Sequence, residues 1–261
     1  MTQGAPERGS HAAAGGDLLT SEPPPQTAYH WDGESEWCRL GAIDKAENVV
    51  RLCSGLPHAS ILDVGAGEGS VLSRLAELGF GETHTAIDVS QTGIDVIRSR
   101  QLPSLVECRS FDGEHIPYAD ARFDLAILSH VVEHVEHPRK LLCQAARVAR
   151  HVFVEVPLEH NLRLPHDFVA DDLGHINSYT ATSVRRLLQS CGLLVLEEIV
   201  TNRSRATYAY HRDRLSGLKY WTKELALRAA PSLATAIFTY HGALVCRSSQ
   251  TPSREGSPAA G

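Results

Sequence analysis

Seven apolar runs of strand length set the frame of this chain: "SILDVG", "THTAIDVS", "SLVECRS", "FDLAILSH", "HVFVEVP", "LLVLEEIV" and "TYHGALVC". Stretches with helical periodicity separate most of them, notably "VLSRLAELG", "TGIDVIRSRQ", "PRKLLCQAARVA" and "TATSVRRLLQSCG". Short buried strands alternating with amphipathic helices are the signature of βαβ units, so the chain reads as α/β with a mainly parallel, doubly wound sheet. In the last of those helices Thr180 can cap the start, Val184, Leu187 and Leu188 share a face, and Gly192 can close the end in the left-handed conformation.

The framework occupies residues 28–248, with about 201–235 set apart as a polar, basic insertion between the last two strands. Residues 1–27 and 249–261 are rich in Gly, Ala, Ser and Pro and bury too little apolar surface to offset their ordering, so both read as disordered tails. No run of 18 or more apolar residues and no secretion leader stand out, which reads as a cytoplasmic chain without a membrane span. The net charge of −6 opposes a polyanion, so no nucleic-acid partner is expected. Six scattered cysteines without a C-x-x-C pair read as reduced.

The first run ends in "DVGAGEGS", where Gly65, Gly67 and Gly69 interrupt the chain between strand and helix. In an open parallel sheet the ligand sits beyond the carboxyl ends of the strands, and glycines at the first turn let backbone approach it. G-x-G-x-G is not the dinucleotide fingerprint G-x-G-x-x-G, and tight turning alone is a competing explanation. Asp88, about 20 residues on and closing the second strand, is placed to accept from ribose hydroxyls or to cap the next helix near Ser90 and Thr92. Asp112 follows the third strand.

Taken together, "LDVGAGEGSVL", "AIDVS", "FDGEHIPYADARFDLAILSHVVEHVEHP" and "GHINSYTATSVRRLLQSCGL" resemble, in order and spacing, a class I S-adenosylmethionine-dependent methyltransferase. The resemblance covers roughly residues 55–200. It implies a Rossmann-like, doubly wound, seven-stranded sheet, mostly parallel with an antiparallel last strand and helices on both faces. It also implies S-adenosyl-L-methionine as cofactor. Asp63, Gly65, Ala66, Gly67 and Gly69 would then line the methionine end, Asp88 and Val89 the ribose, Phe111 and Asp112 the adenine, and Ser129 and His130 the sulfonium side.

Methyl transfer is an in-line displacement that needs a base only where the acceptor loses a proton. Seven of the 14 histidines fall between residues 130 and 175. The candidate catalytic residues are His130, His175 and Glu133. His130, Glu133 and His134 in H-x-x-E-H, with His175 from a later loop, also offer N and O donors for a divalent ion. That set is similar to the E-x-x-E-H plus later His of small-RNA 2′-O-methyltransferases and ubiquinone-pathway O-methyltransferases, with His130 replacing the first Glu. Backbone hydrogen bonding by Glu133 and His134 is the structural counter-reading.

The acceptor is expected to be a small molecule, with oxygen the first choice of atom and N or C the others. The long loop after the fifth strand should form part of its pocket. Tyr29, Trp31 and Trp37 are candidates for a lid, or for packing the first helix. Arg203, Arg205, Arg212 and Arg214 among Tyr208, Tyr210 and Tyr220 could receive an anionic or glycosylated acceptor, or form a solvated face. Neither N-P-P-[YF] nor a Pro-Cys pair of the cytosine-C5 kind occurs, which disfavours base methylation. A non-catalytic S-adenosylmethionine-binding relative and a nicotinamide-dependent oxidoreductase are the alternatives.

Overall fold

A computed structural model describes residue 31 and residues 35–170, 174–210 and 214–249 of the chain. The expected N-terminal tail and Tyr29 lie outside these residues, as do Arg212 and all of the expected C-terminal tail except Ser249.

All seven apolar runs become strands of one sheet: β1 (Ser60–Val64), β2 (Thr83–Asp88), β3 (Leu105–Ser110), β4 (Phe123–Ser129), β5 (Ala149–Pro157), β6 (Leu193–Thr201) and β7 (His241–Ser248). Their order is β3-β2-β1-β4-β5-β7-β6. The first five strands pair in parallel, whereas β7 runs antiparallel to β5 and to β6. The Rossmann-like expectation, with its antiparallel last strand, is what the sheet shows. Strand order reverses between β1 and β4, which opens a crevice beyond their carboxyl ends.

Period-2 burial on two faces explains why these strands carry so few polar residues. In β4, Ala126 and Leu128 join the cluster with Leu141, Leu142, Ala145, Val184 and Leu188, while Leu125 and Ile127 join the one with Ala46, Val49, Leu52 and Leu75. Helices α4 (Pro138–Val148) and α5 (Ala181–Ser190) therefore cover one face. Helices α1 (Glu36–Cys53), α2 (Ser70–Glu77) and α3 (Gln91–Ser99) cover the other. Thr180 and Ser183 form the reciprocal cap of α5, and Gly192 takes φ +75° beyond its end. The edge strands β3 and β6 present Glu107, Arg109, Glu197 and Glu198 to solvent, and β6 carries a register shift at Val195/Glu197. Charges and irregular register both discourage edge-to-edge pairing.

Between β6 and β7 the chain forms α6 (Arg205–Tyr210), α7 (Ser216–Ala229) and α8 (Pro231–Ile237). Asp44 of α1 anchors this excursion by accepting from Ser204 N at 2.8 Å and Thr207 Oγ1 at 3.1 Å. Because β7 starts where the parallel strands end, α6 and α7 approach the same end of the sheet as the crevice.

Candidate active site

The loop after β1 is held from three sides. Gly65, Gly67 and Gly69 all have positive φ (+74°, +57° and +83°), a region in which a side chain is disfavoured. Asp88 accepts from Gly67 N through Oδ2 and from Ser90 N through Oδ1, both at 2.7 Å. Glu68 pairs with Arg100 at the end of α3, and Arg100 Nε also donates to the Glu68 carbonyl at 2.7 Å. Trp31 lies across the loop: its backbone N–H donates to Thr92 Oγ1 at 3.1 Å, and its ring sits where a Cβ on Gly67 would approach to 3.1 Å. Trp37 is elsewhere, its ring tilted at 39° to that of Tyr210 and under the Arg203 guanidinium.

Asp63 stands at the floor of the loop. It is buried, and its Oδ2 has no hydrogen-bond partner among the described residues. Burial, then the Asp88 charge, push its carboxyl up to about 7. A folded-state pKa above the ordinary 3.8 means that the native chain holds this proton more tightly than the unfolded one. The resulting stabilisation is complete below about pH 4 and is lost as pH rises through about 7. Asp63→Asn should accordingly gain stability over the parent between those values, by at most about 4 kcal/mol. Denaturation of both proteins across that pH range measures the difference.

The adenine and sulfonium candidates are less uniform. Phe111 packs against the main core cluster, and Val89 and Ala66 are partly buried. Asp112 is exposed, and its Oδ1 accepts from the Glu114 and His115 amides at 2.8 and 2.7 Å, which hold its carboxyl below the ordinary value. Ser129 points to Glu155, donating to its Oε2 at 3.1 Å.

His130 follows β4 with φ +59°, an uncommon backbone for a non-glycine residue. Its Nδ1 lies 3.1 Å from Glu133 Oε1 without hydrogen-bond alignment, and its Nε2 is buried without a partner among the described residues. Burial, then Lys45 and His241, hold its pKa well below 6.5, so the ring is neutral at pH 7.

The four proposed metal donors do not form one group. Glu133, His134 and His175 bring their ligand atoms within 4.8 Å of one another, while His130 falls in a second group with Glu155 and His241. In the first group both Glu133 oxygens are buried without hydrogen-bond partners, and burial raises the carboxyl's pKa. His134 Nδ1 meets the Gly174 carbonyl at 3.1 Å, and His175 Nδ1 meets Glu159 Oε2 at 2.8 Å. Glu133's own backbone amide nevertheless acts on its carboxyl, lowering the pKa that burial raises, and His134 hydrogen-bonds to the Gly174 carbonyl, so the structural counter-reading keeps support from both residues.

The second group was not visible in the sequence. Asn48 Nδ2 donates to Glu155 Oε1 at 2.9 Å, and His241 Nδ1 lies 3.4 Å from the same atom. Arg203 Nε donates to His241 Nε2 at 3.2 Å, which assigns the His241 proton to Nδ1. Burial raises the Glu155 carboxyl, but the His241 hydrogen bond and neighbouring cations outweigh it, leaving it below its ordinary value. The hint in the sequence was one glutamate inside the otherwise apolar "VFVEVP".

A family model described as a methyltransferase domain matches residues 39–198. The chain belongs to this class I S-adenosylmethionine-dependent methyltransferase family.

The methyltransferase domain is 31% identical over 125 residues to a ubiquinone biosynthesis O-methyltransferase of Hahella chejuensis, covering 46% of this chain and 51% of that one. A mitochondrial ubiquinone biosynthesis O-methyltransferase of Schizosaccharomyces pombe is 31% identical over 127 residues, 45% of this chain and 44% of its own. The chain thus spans about half the length of the curated relatives it matches. Among solved structures the [4+2]-cyclase SpnF aligns with TM-score 0.60 at 19% identity, over 85% of this chain and 87% of that one. The geranyl diphosphate C-methyltransferase of Streptomyces coelicolor aligns with TM-score 0.57 at 11% identity, over 87% and 93%. These two likenesses concern the fold.

The methyltransferase domain's own residues fit its family's cofactor. A glycine cradle with an orphaned, buried carboxylate beneath it suits the ammonium of an amino acid, and Asp88 has lone pairs beyond the two amides it serves. Among the described residues no helix is long and apolar enough to cross a membrane.

Proposed function

We propose that the protein transfers the methyl group of S-adenosylmethionine to an oxygen of a small-molecule acceptor. The observation that carries this reading is the meeting, at the β1/β4 crevice, of the glycine cradle over Asp63 with two groups of buried or partly buried histidines and carboxylates. The names of the relatives matching at about 30% identity support oxygen as the atom.

In-line displacement asks the protein mainly to hold acceptor and sulfonium in register. Asp63, Asp88 and the three glycines bind the donor; Ser129 and His130, at the end of β4, border the transferred group. A hydroxyl acceptor must give up its proton, and neutral His130, with its buried and unpartnered Nε2, is suited to receive it. His175, oriented by Glu159, is the second candidate base.

Glu133, His134 and His175 also fit a divalent ion: an orphaned buried carboxylate beside two imidazoles, whose Nδ1 atoms meet a carbonyl and a carboxylate, is a usual donor and outer-shell arrangement. A bound ion there would supply charge to lower an acceptor hydroxyl's pKa.

Calorimetric titration of chelator-treated protein tests the reading, with NAD⁺ as control and Mg²⁺ or Zn²⁺ added in parallel. S-adenosylmethionine should bind and NAD⁺ should not, and turnover on a panel of hydroxylated acceptors should follow. Binding of NAD⁺ alone would replace the reading with an oxidoreductase. Binding of S-adenosylmethionine without turnover on any acceptor would favour a non-catalytic relative.

A further inference from the structure

A cavity of about 390 Å³, within the range of small-molecule sites, lies between α6, α7 and the start of β7. Its walls include Glu159, Arg203, Tyr208, Lys219, Lys223 and Thr239. Among the described residues Arg203 and Lys223 share it with the Glu159 carboxylate, which already serves His175 Nδ1 at 2.8 Å.

Arg203 and Lys223 have no carboxylate partner among the described residues. Arg203 donates to His241 and lies 5.4 Å over the Trp37 ring. Lys223 Nζ donates to the Thr239 carbonyl at 2.6 Å and lies 4.9 Å over Tyr240 and 5.6 Å over Tyr208. Nearby acids are engaged elsewhere: Glu224 with Arg228 at 2.9 Å, and Asp44 with Ser204 and Thr207. Partly buried cations are ordinarily paired, because desolvating a charge without a counterion is costly. Burial, then Arg203 and Arg163, push the Lys223 pKa down to about 8, as expected where positive charges lie close together.

The cavity also adjoins the reaction centre from two sides. Arg203 touches His241, whose ring lies 4.7 Å from that of His130, and Glu159 touches His175.

We infer that this cavity anchors the acceptor by an oxyanion, a carboxylate or a phosphate, held between Arg203 and Lys223. The inference rests on the methyltransferase reading for the word acceptor; the anion site itself does not. An anchored oxyanion supplies the missing counter-charge, and it orients the remainder of the molecule toward His130 and His175.

The test is calorimetry on the full chain, with and without S-adenosylhomocysteine, using inorganic phosphate, benzoate and the neutral isostere benzamide as probes. Phosphate or benzoate should bind and benzamide should not; which anion binds more tightly distinguishes the two oxyanions. Lys223→Met and Arg203→Gln should each weaken the anion at least about tenfold, equivalent to about 1.4 kcal/mol, while S-adenosylhomocysteine affinity stays unchanged. Lys223 also ties α7 to Thr239, so Arg203→Gln serves as the variant free of that bond. Equal binding of benzamide and benzoate, absence of heat from both anions, or unchanged anion affinity in both variants overturns the inference. A wild-type chain that binds the anions but not S-adenosylhomocysteine upholds the anion site and removes the methyltransferase reading instead.

Discussion

Gly67→Arg should reduce S-adenosylmethionine affinity by at least about 100-fold, a loss near 2.7 kcal/mol. Two effects add at this position. Gly67 has φ +57°, which costs a residue with a Cβ roughly 1–2 kcal/mol. The new side chain must also start 3.1 Å from the Trp31 ring and leave through the crevice that the donor would occupy. Asp88→Ala is the milder companion: it removes the acceptor of the Gly67 and Ser90 amides, and a roughly tenfold loss is expected because the cradle loosens without being filled. Calorimetry reads both, with circular dichroism to confirm the fold. Unchanged affinity in the two variants would sink the cofactor assignment.

Glu133→Gln should abolish metal-stimulated turnover, by about 100-fold or more, and yet raise the melting temperature of the metal-free protein. Among the described residues both Glu133 oxygens are buried with no partner of good hydrogen-bond geometry, only the residue's own amide acting on the carboxyl, an arrangement that costs stability and is retained where a ligand repays it. Gln keeps the shape and removes the charge, so the metal-free chain loses a desolvation penalty while an ion loses its anionic donor. Metal titration followed by thermal shift provides a readout apart from activity. A variant that is less stable, and that keeps both metal response and turnover, would mark Glu133 as purely structural.

The sheet was legible in the sequence because its central strands are buried on both faces and so read as short apolar runs. "FDLAILSH" can only be a central strand once Leu125 and Ile127 serve one core and Ala126 and Leu128 the other. The glycine loop was equally legible, since three glycines spaced two apart leave the helical and extended regions and take positive φ. Asp88 shows the limit of that reading. Ribose acceptor and helix cap are alternatives in the sequence, yet the carboxylate already serves the Gly67 and Ser90 amides and keeps lone pairs for more.

Spacing placed only part of the histidine arrangement. H-x-x-E-H suggests that His130, Glu133 and His134 gather on one side of a helical turn; His130 Nδ1 does come within 3.1 Å of Glu133 Oε1, but its ring groups with Glu155 and His241 rather than with His134 and His175. The partners that complete both groups come from residues 48, 155, 159, 203 and 241, brought together by strand order rather than by proximity along the chain.

The sequence by itself determined the α/β class, the number of strands, the glycine cradle and the family, because each depends on local periodicity and on short motifs. Only the tertiary structure decided which histidine meets which carboxylate, and that Arg203 and Lys223 share a cavity. Inserting antiparallel β7 between β5 and β6 brings His241 and the α6–α7 excursion to the carboxyl ends of strands far away in sequence. Long-range pairing of this kind leaves no periodic trace in a single chain, since it is fixed by sheet register and not by neighbouring residues.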